Sequence, residues 1–302
     1  MRGLSQKLGQ WLIHWLTRDR PPAETPLCNF DRLRFELRPC DVLLVEGRSR
    51  IADVIRVITQ SPWSHAVLYI GRIFDIRDPR LRVKVEAHFE GDPEEQLVIE
   101  ALAGEGTIVS PLSRYQKDHV RICRPDGISA EDAQQVMAYA INQLGTDYDM
   151  RQILDLARFL FPWSILPRRW RSTLFEHNAG TTTRTVCSTL LAEAFMQVDF
   201  PILPFIERDE DGSLRLFKRN PRLFAPRDFD YSPYFSIIKY PYLGFNDVGI
   251  YRRLPWDPSE EFHSEQPRRR PQPETEPEAA EAAGRHRLPD LFQAAMRWRK
   301  EG

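Results

Sequence analysis

The order of its segments constrains this chain most, because strand-like segments come first and helical segments follow. Between residues 41 and 125, short apolar runs of strand length are separated by turn residues, with a helical stretch at 50–60. Helical periodicity takes over at 129–144, where Ser129 is a candidate N-cap and Gly145 a stop signal. Strands grouped ahead of helices are typical of α+β domains. We therefore predict an α+β fold, with an antiparallel sheet packed against helices.

Several apolar segments have the length and pattern of strands. The predicted strands are 41–47, 65–71, 81–89, 96–102, 106–115 and 119–125. The sequence GEG separates the fourth from the fifth, which predicts a hairpin. Farther along, the second half of 181–198 has helical periodicity, and short strands are expected in the proline-rich stretch 200–256.

Charge and cysteine spacing argue against several classes of protein. The net charge is −1, so the chain as a whole lacks the positive charge of a nucleic-acid-binding protein. Its four cysteines, Cys28, Cys40, Cys123 and Cys187, form no C-x-x-C pair and no Cys/His spacing typical of zinc. We therefore expect no metal, no cofactor and no disulfide framework. Free thiols favour a reducing compartment, which makes the cytoplasm the expected location.

The two ends of the chain differ in composition from the middle. Residues 1–30 are predicted to form an amphipathic helix and a proline-containing connector, and residues 257–302 are charged and of low complexity. We predict one domain over 31–256 with an insertion near 158–180. The tail is predicted to be disordered and to end in a short amphipathic helix. No run of 18 apolar residues occurs, so no transmembrane helix is predicted.

Two segments carry the mixture of apolar, aromatic and basic residues found in membrane-surface contacts. Residues 1–20 place leucines and tryptophans on one helical face with basic residues around them. Residues 158–171 read RFLFPWSILPRRWR. Each has an alternative interpretation, since the helix can dock on the domain and the insertion can pack over the core. Peripheral membrane contact through either segment is therefore a hypothesis.

Three residues occupy positions where reactive side chains are useful. His65 begins an apolar strand, Glu100 ends another before a glycine turn, and Cys187 lies where an extended segment meets a helix. A helix N-terminus stabilises a thiolate, and its free N–H groups can hold an oxyanion. A nucleophile, a base and an orienting group make up a cysteine hydrolase. Each residue alone also fits a structural role: a hydrogen-bonded strand-end histidine, a solvated acid and a small buried side chain.

A set of motifs follows in a fixed order: CDVLLVEG, SPWSHAVLYIG, LVIEALAGEGTIVSPLSRY, GTDYDM, TVCSTLLAEAF and APRDFDYSPYF. This set resembles the circularly permuted branch of the NlpC-like cysteine hydrolases, the YiiX/YebB-type lipo-like family, across roughly residues 38–240. The resemblance implies a permuted papain-like core, with the histidine strand first and the cysteine helix last. It places the nucleophile on Cys187, the base on His65 and the third polar residue on Glu100.

Other positions of the pattern match less closely. Asp41, Tyr148 and Asp149 occupy motif positions for which structural roles are expected. Cys40 stands where the family has a glycine before the aspartate, and Thr189 where it usually has a glutamate. The second departure puts a local hydrogen bond in question, and with it the substrate preference.

The resemblance implies cleavage of amide bonds in cell-wall peptides, or of lipid acyl groups, through an acyl-enzyme on Cys187. Hydrolysis and transfer to another acceptor both remain open. One alternative is a non-catalytic module of the same fold that binds a peptide or a lipid. Another is a membrane-surface scaffold in which the terminal segments act and the core is incidental.

Overall fold

The computed structural model describes residues 15–21, 27–102, 105–146, 186–209, 212–241 and 254. The chain divides into two units, Met1–Asn246 and Asp247–Gly302, and the elements named below belong to the first. Predictions for 1–14, for the insertion and for the charged tail lie outside the described residues, as do Tyr148 and Asp149. The predicted domain boundaries therefore stay predictions.

Helices and strands are numbered separately along the chain. The helices are α1 (Phe30–Glu36), α2 (Arg50–Thr59), α3 (Pro79–Glu86), α4 (Ala130–Asn142), α5 (Val186–Met196) and α6 (Pro226–Tyr231). The strands are β1 (Val42–Glu46), β2 (His65–Gly71), β3 (Leu97–Leu102), β4 (Gly106–Pro111), β5 (His119–Pro125), β6 (Phe205–Arg208), β7 (Leu214–Phe217) and β8 (Phe235–Ile238). Short 3-10 helices span Ile73–Asp75, Leu112–Tyr115 and Pro221–Leu223.

The main sheet of the described chain has the strand order β4-β3-β2-β1-β5-β8, and every neighbouring pair is antiparallel. Strands β6 and β7 form a separate two-stranded sheet. The hairpin predicted around GEG is present as β3 and β4. The prediction of an antiparallel sheet built mainly from early strands is confirmed.

Both faces of the sheet are covered. Helices α4 and α5 pack on one face, which presents Leu44 and Ile99. The other face presents Val67 and packs against Leu33 of α1. Because neither face is left to solvent, β2 is a continuous apolar run in which every residue after His65 is buried.

One predicted strand is wrong, because segment 81–89 belongs largely to helix α3. Asp78 is the N-cap and accepts a hydrogen bond from the Arg80 N–H, while Pro79 occupies the first turn. Val85 is fully buried, whereas Val83 is 64% exposed. The alternation therefore did not mark two sheet faces, and the Asp-Pro start signal was the better guide.

A second predicted strand, 106–115, is too long. Strand β4 ends at Pro111, and the 3-10 helix Leu112–Tyr115 follows where a strand was predicted to continue to residue 115. The helix signals at 129–145 are confirmed. Ser129 accepts a hydrogen bond from the Asp132 N–H, and Gly145 has a φ of +79° just beyond the helix end.

No helix in the described ranges is both long enough and apolar enough to cross a membrane.

Candidate active site

Two anchored residues precede His65 and fix the start of β2. The Ser64 hydroxyl accepts a 2.8 Å hydrogen bond from the Gly47 N–H. Trp63 is 1% exposed, and its Nε1 donates to Asp230 Oδ2 over 3.2 Å. These contacts link the chain before His65 to the segment after β1 and to helix α6. The backbone entering His65 is therefore anchored by the two buried residues that precede it.

Strand alternation explains how His65 can contact both layers of the domain. His65 and Glu100 alternate with Ala66 and Ile99, whose side chains lie in the core beneath helix α5. Glu100 therefore projects to the opposite face from α5. His65 is the first residue of β2, so its ring lies at the end of the sheet, where it contacts Glu100 on one side and Cys187 of α5 on the other.

The carboxylate of Glu100 is the most enclosed charge of the site, with no exposed surface. Its Oε2 lies 2.9 Å from His65 Nε2 and also accepts a hydrogen bond from the Tyr115 hydroxyl. Its Oε1 lies 3.6 Å from Arg114 Nη1. Burial by itself would raise the pKa of Glu100, but the hydrogen bond and charge of His65, followed by the hydroxyls of Ser110 and Tyr115, lower that pKa to about 2. The carboxylate is thus ionised at neutral pH.

Burial by itself would lower the pKa of His65, yet its two partners reverse the direction. The charge and hydrogen bond of Cys187, followed by those of Glu100, raise the pKa of His65 to about 10. Since Nε2 faces Glu100, Nδ1 is the ring nitrogen left for the Cys187 thiol. The ring is therefore held in one orientation between a carboxylate and a sulfur.

Cys187 is the second residue of α5 and is 4% exposed. Burial would raise the pKa of its thiol, but the charge and hydrogen bond of His65, the Ala66 backbone and the Ser188 hydroxyl lower it. The Ser188 Oγ lies 3.8 Å from the Cys187 sulfur. Free N–H groups in the first turn of a helix further favour an anion at this position.

The other three cysteines behave differently. All four are unpaired thiols, and burial raises the pKa of Cys28, Cys40 and Cys123. Only at Cys187 is burial outweighed by a cationic neighbour. The site therefore offers one thiol whose surroundings favour the nucleophilic thiolate.

The three residues singled out from the sequence come together in space, with His65 between Glu100 and Cys187. Sequence reasoning gave no role to Arg114 and Tyr115, which contact the same carboxylate. Both lie in the SPLSRY stretch, but nothing in a single sequence links them to a residue on another strand. Within the ranges that the structure describes, no group of three or more His, Cys, Asp and Glu side chains is placed to hold a metal ion.

Asp41 has the structural position expected for it. It is 1% exposed, and Arg124 donates to both of its oxygens, over 3.0 Å to Oδ1 and 2.8 Å to Oδ2. The Arg38 N–H also donates to Oδ2. Asp41 thus ties the entry of β1 to β5 and makes no contact of this kind with the reactive residues.

Comparison with known proteins gives the following similarities. Residues 36–158 match the sequence model of the permuted papain-like amidase enzymes (YaeF/YiiX, C92 family). This range is less than half of the chain; it includes His65 and Glu100 and ends before Cys187. No curated protein is significantly similar to the chain. The crystal structure of metalloprotein yiiX from Escherichia coli O157:H7 aligns with a TM-score of 0.40 and 15% identity, over 68% of this chain and 98% of that chain.

The strand order and the family match agree with the fold class predicted from the sequence. The protein has a mixed α/β fold with an antiparallel sheet, and its histidine strand precedes its cysteine helix. Over residues 36–158 the chain is similar to the permuted papain-like amidases, and this similarity indicates a permuted papain-like fold.

Proposed function

We propose that the protein is a cysteine hydrolase that cleaves amide bonds with Cys187 as nucleophile, His65 as base and Glu100 as the orienting carboxylate. The observation that carries the proposal is His65, which is hydrogen-bonded to Glu100 and lowers the pKa of Cys187. The match to a family of amidases favours an amide over an ester substrate. We also infer kinship with the NlpC-like hydrolases and their lipo-like members, from the ordered motifs.

The arrangement of the three side chains supports the following reaction. His65 Nδ1 takes the Cys187 proton, and the thiolate attacks the carbonyl carbon, so that a C–S bond forms and the carbonyl oxygen becomes an oxyanion. N–H groups of the first turn of α5 would stabilise that oxyanion. When the intermediate collapses, the C–N bond breaks and His65 returns its proton to the leaving amine. Water, activated by His65, then releases the acid from Cys187.

The first experiment is the pH dependence of Cys187 alkylation by iodoacetamide, in the unaltered protein and in His65→Ala. We expect an inflection well below the free-thiol value of about 8.5, raised in the variant. His119→Ala is the matched control, because His119 Nδ1 lies 3.1 Å from Glu46 Oε2 in a second histidine–glutamate pair. An inflection near that of a free thiol, unaffected by His65→Ala, would contradict the proposal and favour the non-catalytic binding module.

If the thiol is activated, the substrate class is decided by assay. Peptide amides of the cell-wall type should be cleaved with Cys187→Ala as the inactive control. Faster release from acyl lipids would assign the site to the lipid acyl class instead. Addition of a second acceptor amine separates hydrolysis from acyl transfer, since only a transferase forms the new amide.

Location and membrane contact are further proposals. All four cysteines are free thiols, which supports a reducing compartment such as the cytoplasm. Peripheral membrane contact is proposed for 1–20 or 158–171 from their composition. Co-sedimentation with anionic lipid vesicles, before and after deletion of 1–14, tests the first of these segments.

A further inference from the structure

Glu100 is an anion in a place where an anion is costly. Its side chain has no exposed surface, and a carboxylate cut off from water is unfavourable unless it is paired and hydrogen-bonded. His65 supplies one partner, through Oε2 alone. The remaining stabilisation has to come from other groups around the carboxylate.

Tyr115, at the end of the 3-10 helix Leu112–Tyr115, is a second partner of the carboxylate. Its hydroxyl donates to Glu100 Oε2, the same oxygen that faces His65, and its ring centroid lies 6.4 Å from the imidazole centroid. Burial, reinforced by the Glu100 charge, raises the pKa of Tyr115, so the hydroxyl keeps its proton. Tyr115 therefore acts as a donor to the carboxylate over the whole working pH range.

Arg114 lies beside the second carboxylate oxygen, Glu100 Oε1. In the described part of the chain, Glu100 Oε1 makes no hydrogen bond of ordinary geometry, and Arg114 Nη1 lies 3.6 Å from it. The same Nη1 lies 3.5 Å from the Ser110 hydroxyl. The Arg114 side chain is 43% exposed, so its charge is partly screened by water. It supplies positive charge beside Oε1, next to the Ser110 hydroxyl, which also lowers the pKa of Glu100.

We propose that Arg114 and Tyr115 form a clamp that keeps Glu100 ionised and its Oε2 aimed at His65, which makes both of them positioning residues. This inference rests on the proposed function, since it concerns how the same site is held in its reactive state. Because His65 and Tyr115 share Oε2, rotation of the carboxylate would break both hydrogen bonds at once. The clamp thus couples the charge of Glu100 to its orientation.

The charged and titratable groups around Glu100 come from two elements. His65 contacts Glu100 from β2, and Cys187 interacts in turn with His65. Arg114 and Tyr115 contact Glu100 from the 3-10 helix. Asp19 and Glu105 lie farther out, where their charges act on Arg114. Loss of the clamp should therefore lower the pKa of His65 and, through His65, raise the pKa of Cys187.

The test is the pH profile of Cys187 alkylation by iodoacetamide in Tyr115→Phe. Without the Tyr115 hydroxyl the carboxylate can rotate away from His65 and stabilise its cation less. The acid limb of the profile should then move up by about one pH unit and alkylation at pH 6 should slow by about tenfold. Tyr69→Phe is the matched control, because Tyr69 is a buried tyrosine in the same core cluster whose hydroxyl contacts Gln96 at 2.7 Å. We expect its profile to overlie that of the unaltered protein.

Arg114→Gln keeps the test decisive if Tyr115→Phe does not fold, since its side chain is partly exposed and tolerates replacement. Its acid limb should move upward by less than that of Tyr115→Phe, and Arg114→Lys should restore the original position. Folded variants whose profiles overlie the unaltered one, while His65→Ala shifts it, would overturn the clamp and leave the proposed function intact. A free-thiol profile in the unaltered protein would overturn both.

Discussion

His65 Nε2 and Glu100 Oε2 lie 2.9 Å apart, although 35 positions separate the two residues along the chain. They lie on the neighbouring strands β2 and β3, and because Nε2 is turned towards the carboxylate, Nδ1 is the ring nitrogen left for Cys187. The same pair sets the charge state of the site, because each partner favours the charged form of the other. The first two predictions follow from this pair.

Replacement of Glu100 by Gln keeps the shape of the side chain and removes its charge. The pKa of His65 should fall, because one of the two partners that raise it has been neutralised. We expect kcat to drop by about 10- to 100-fold with little change in KM, since orientation of the base matters in the transition state. Equal losses from Glu100→Gln and Glu46→Gln would contradict a special role for Glu100, because Glu46 faces His119 instead.

Stability should respond to pH through the same two residues. Folding lowers the pKa of Glu100 from 4.5 to about 2, so its contribution is fully present above 4.5 and is lost as the pH falls through 2. Folding raises the pKa of His65 from 6.5 to about 10, so its contribution is fully present below 6.5 and is lost as the pH rises through 10.

The free energy of unfolding of the unaltered protein should therefore exceed that of Glu100→Gln most clearly between pH 4.5 and 6.5. Urea denaturation near pH 5.5 and again near pH 9.5 measures the difference, which we expect to narrow at the higher pH. Asp126→Asn is a control at an exposed acid. If the difference in free energy of unfolding between the two proteins widened with rising pH, this assignment of charges would be refuted.

Asp41→Asn should destabilise the fold without impairing the chemistry per folded molecule. Asn cannot accept the paired hydrogen bonds of Arg124 as a carboxylate does, and the guanidinium, 15% exposed, would be left with Glu36 as its anionic partner. Breaking a buried pair of this kind costs about 3 kcal/mol. Urea denaturation and active-site titration measure the two effects. A loss below about 0.5 kcal/mol, the size expected for an ordinary surface substitution, would show that the pair contributes little.

Cys40→Gly should cost less stability than Cys123→Gly. Both thiols are fully buried in the same core cluster, so each substitution removes a similar apolar contact. Cys40 has a φ of +80°, where a side chain is strained and glycine is not, whereas Cys123 lies within strand β5. At position 40, relief of backbone strain should offset about 1 kcal/mol of the stability lost with the side chain. Equal unfolding free energies for the two variants would argue against strain at Cys40.

The sequence predicted most elements of the described fold, because their signals are local. Strand-length apolar runs predicted β1, β2, β3 and β5, and an N-cap serine predicted the start of α4. Local signals conflicted at 81–89. The alternating valines predicted a strand, whereas the Asp-Pro pair before them marks the start of the observed helix. Cys40 has a positive φ at a position where the related family pattern has glycine. The sequence reveals the replacement of glycine by cysteine, but it does not reveal the backbone conformation at that position.

The sequence by itself determined the types and order of most elements and placed His65 at the start of β2 and Cys187 at the start of α5, because periodicity and end signals act over a few residues. Glu100, expected at a strand end, instead lies within β3 (Leu97–Leu102). Only the tertiary structure decided that Glu100 faces His65 across a strand pair and that the 3-10 helix brings Arg114 and Tyr115 to the same carboxylate. Strand register and packing set those distances. They depend on interactions between residues far apart in the chain, which local patterns do not encode.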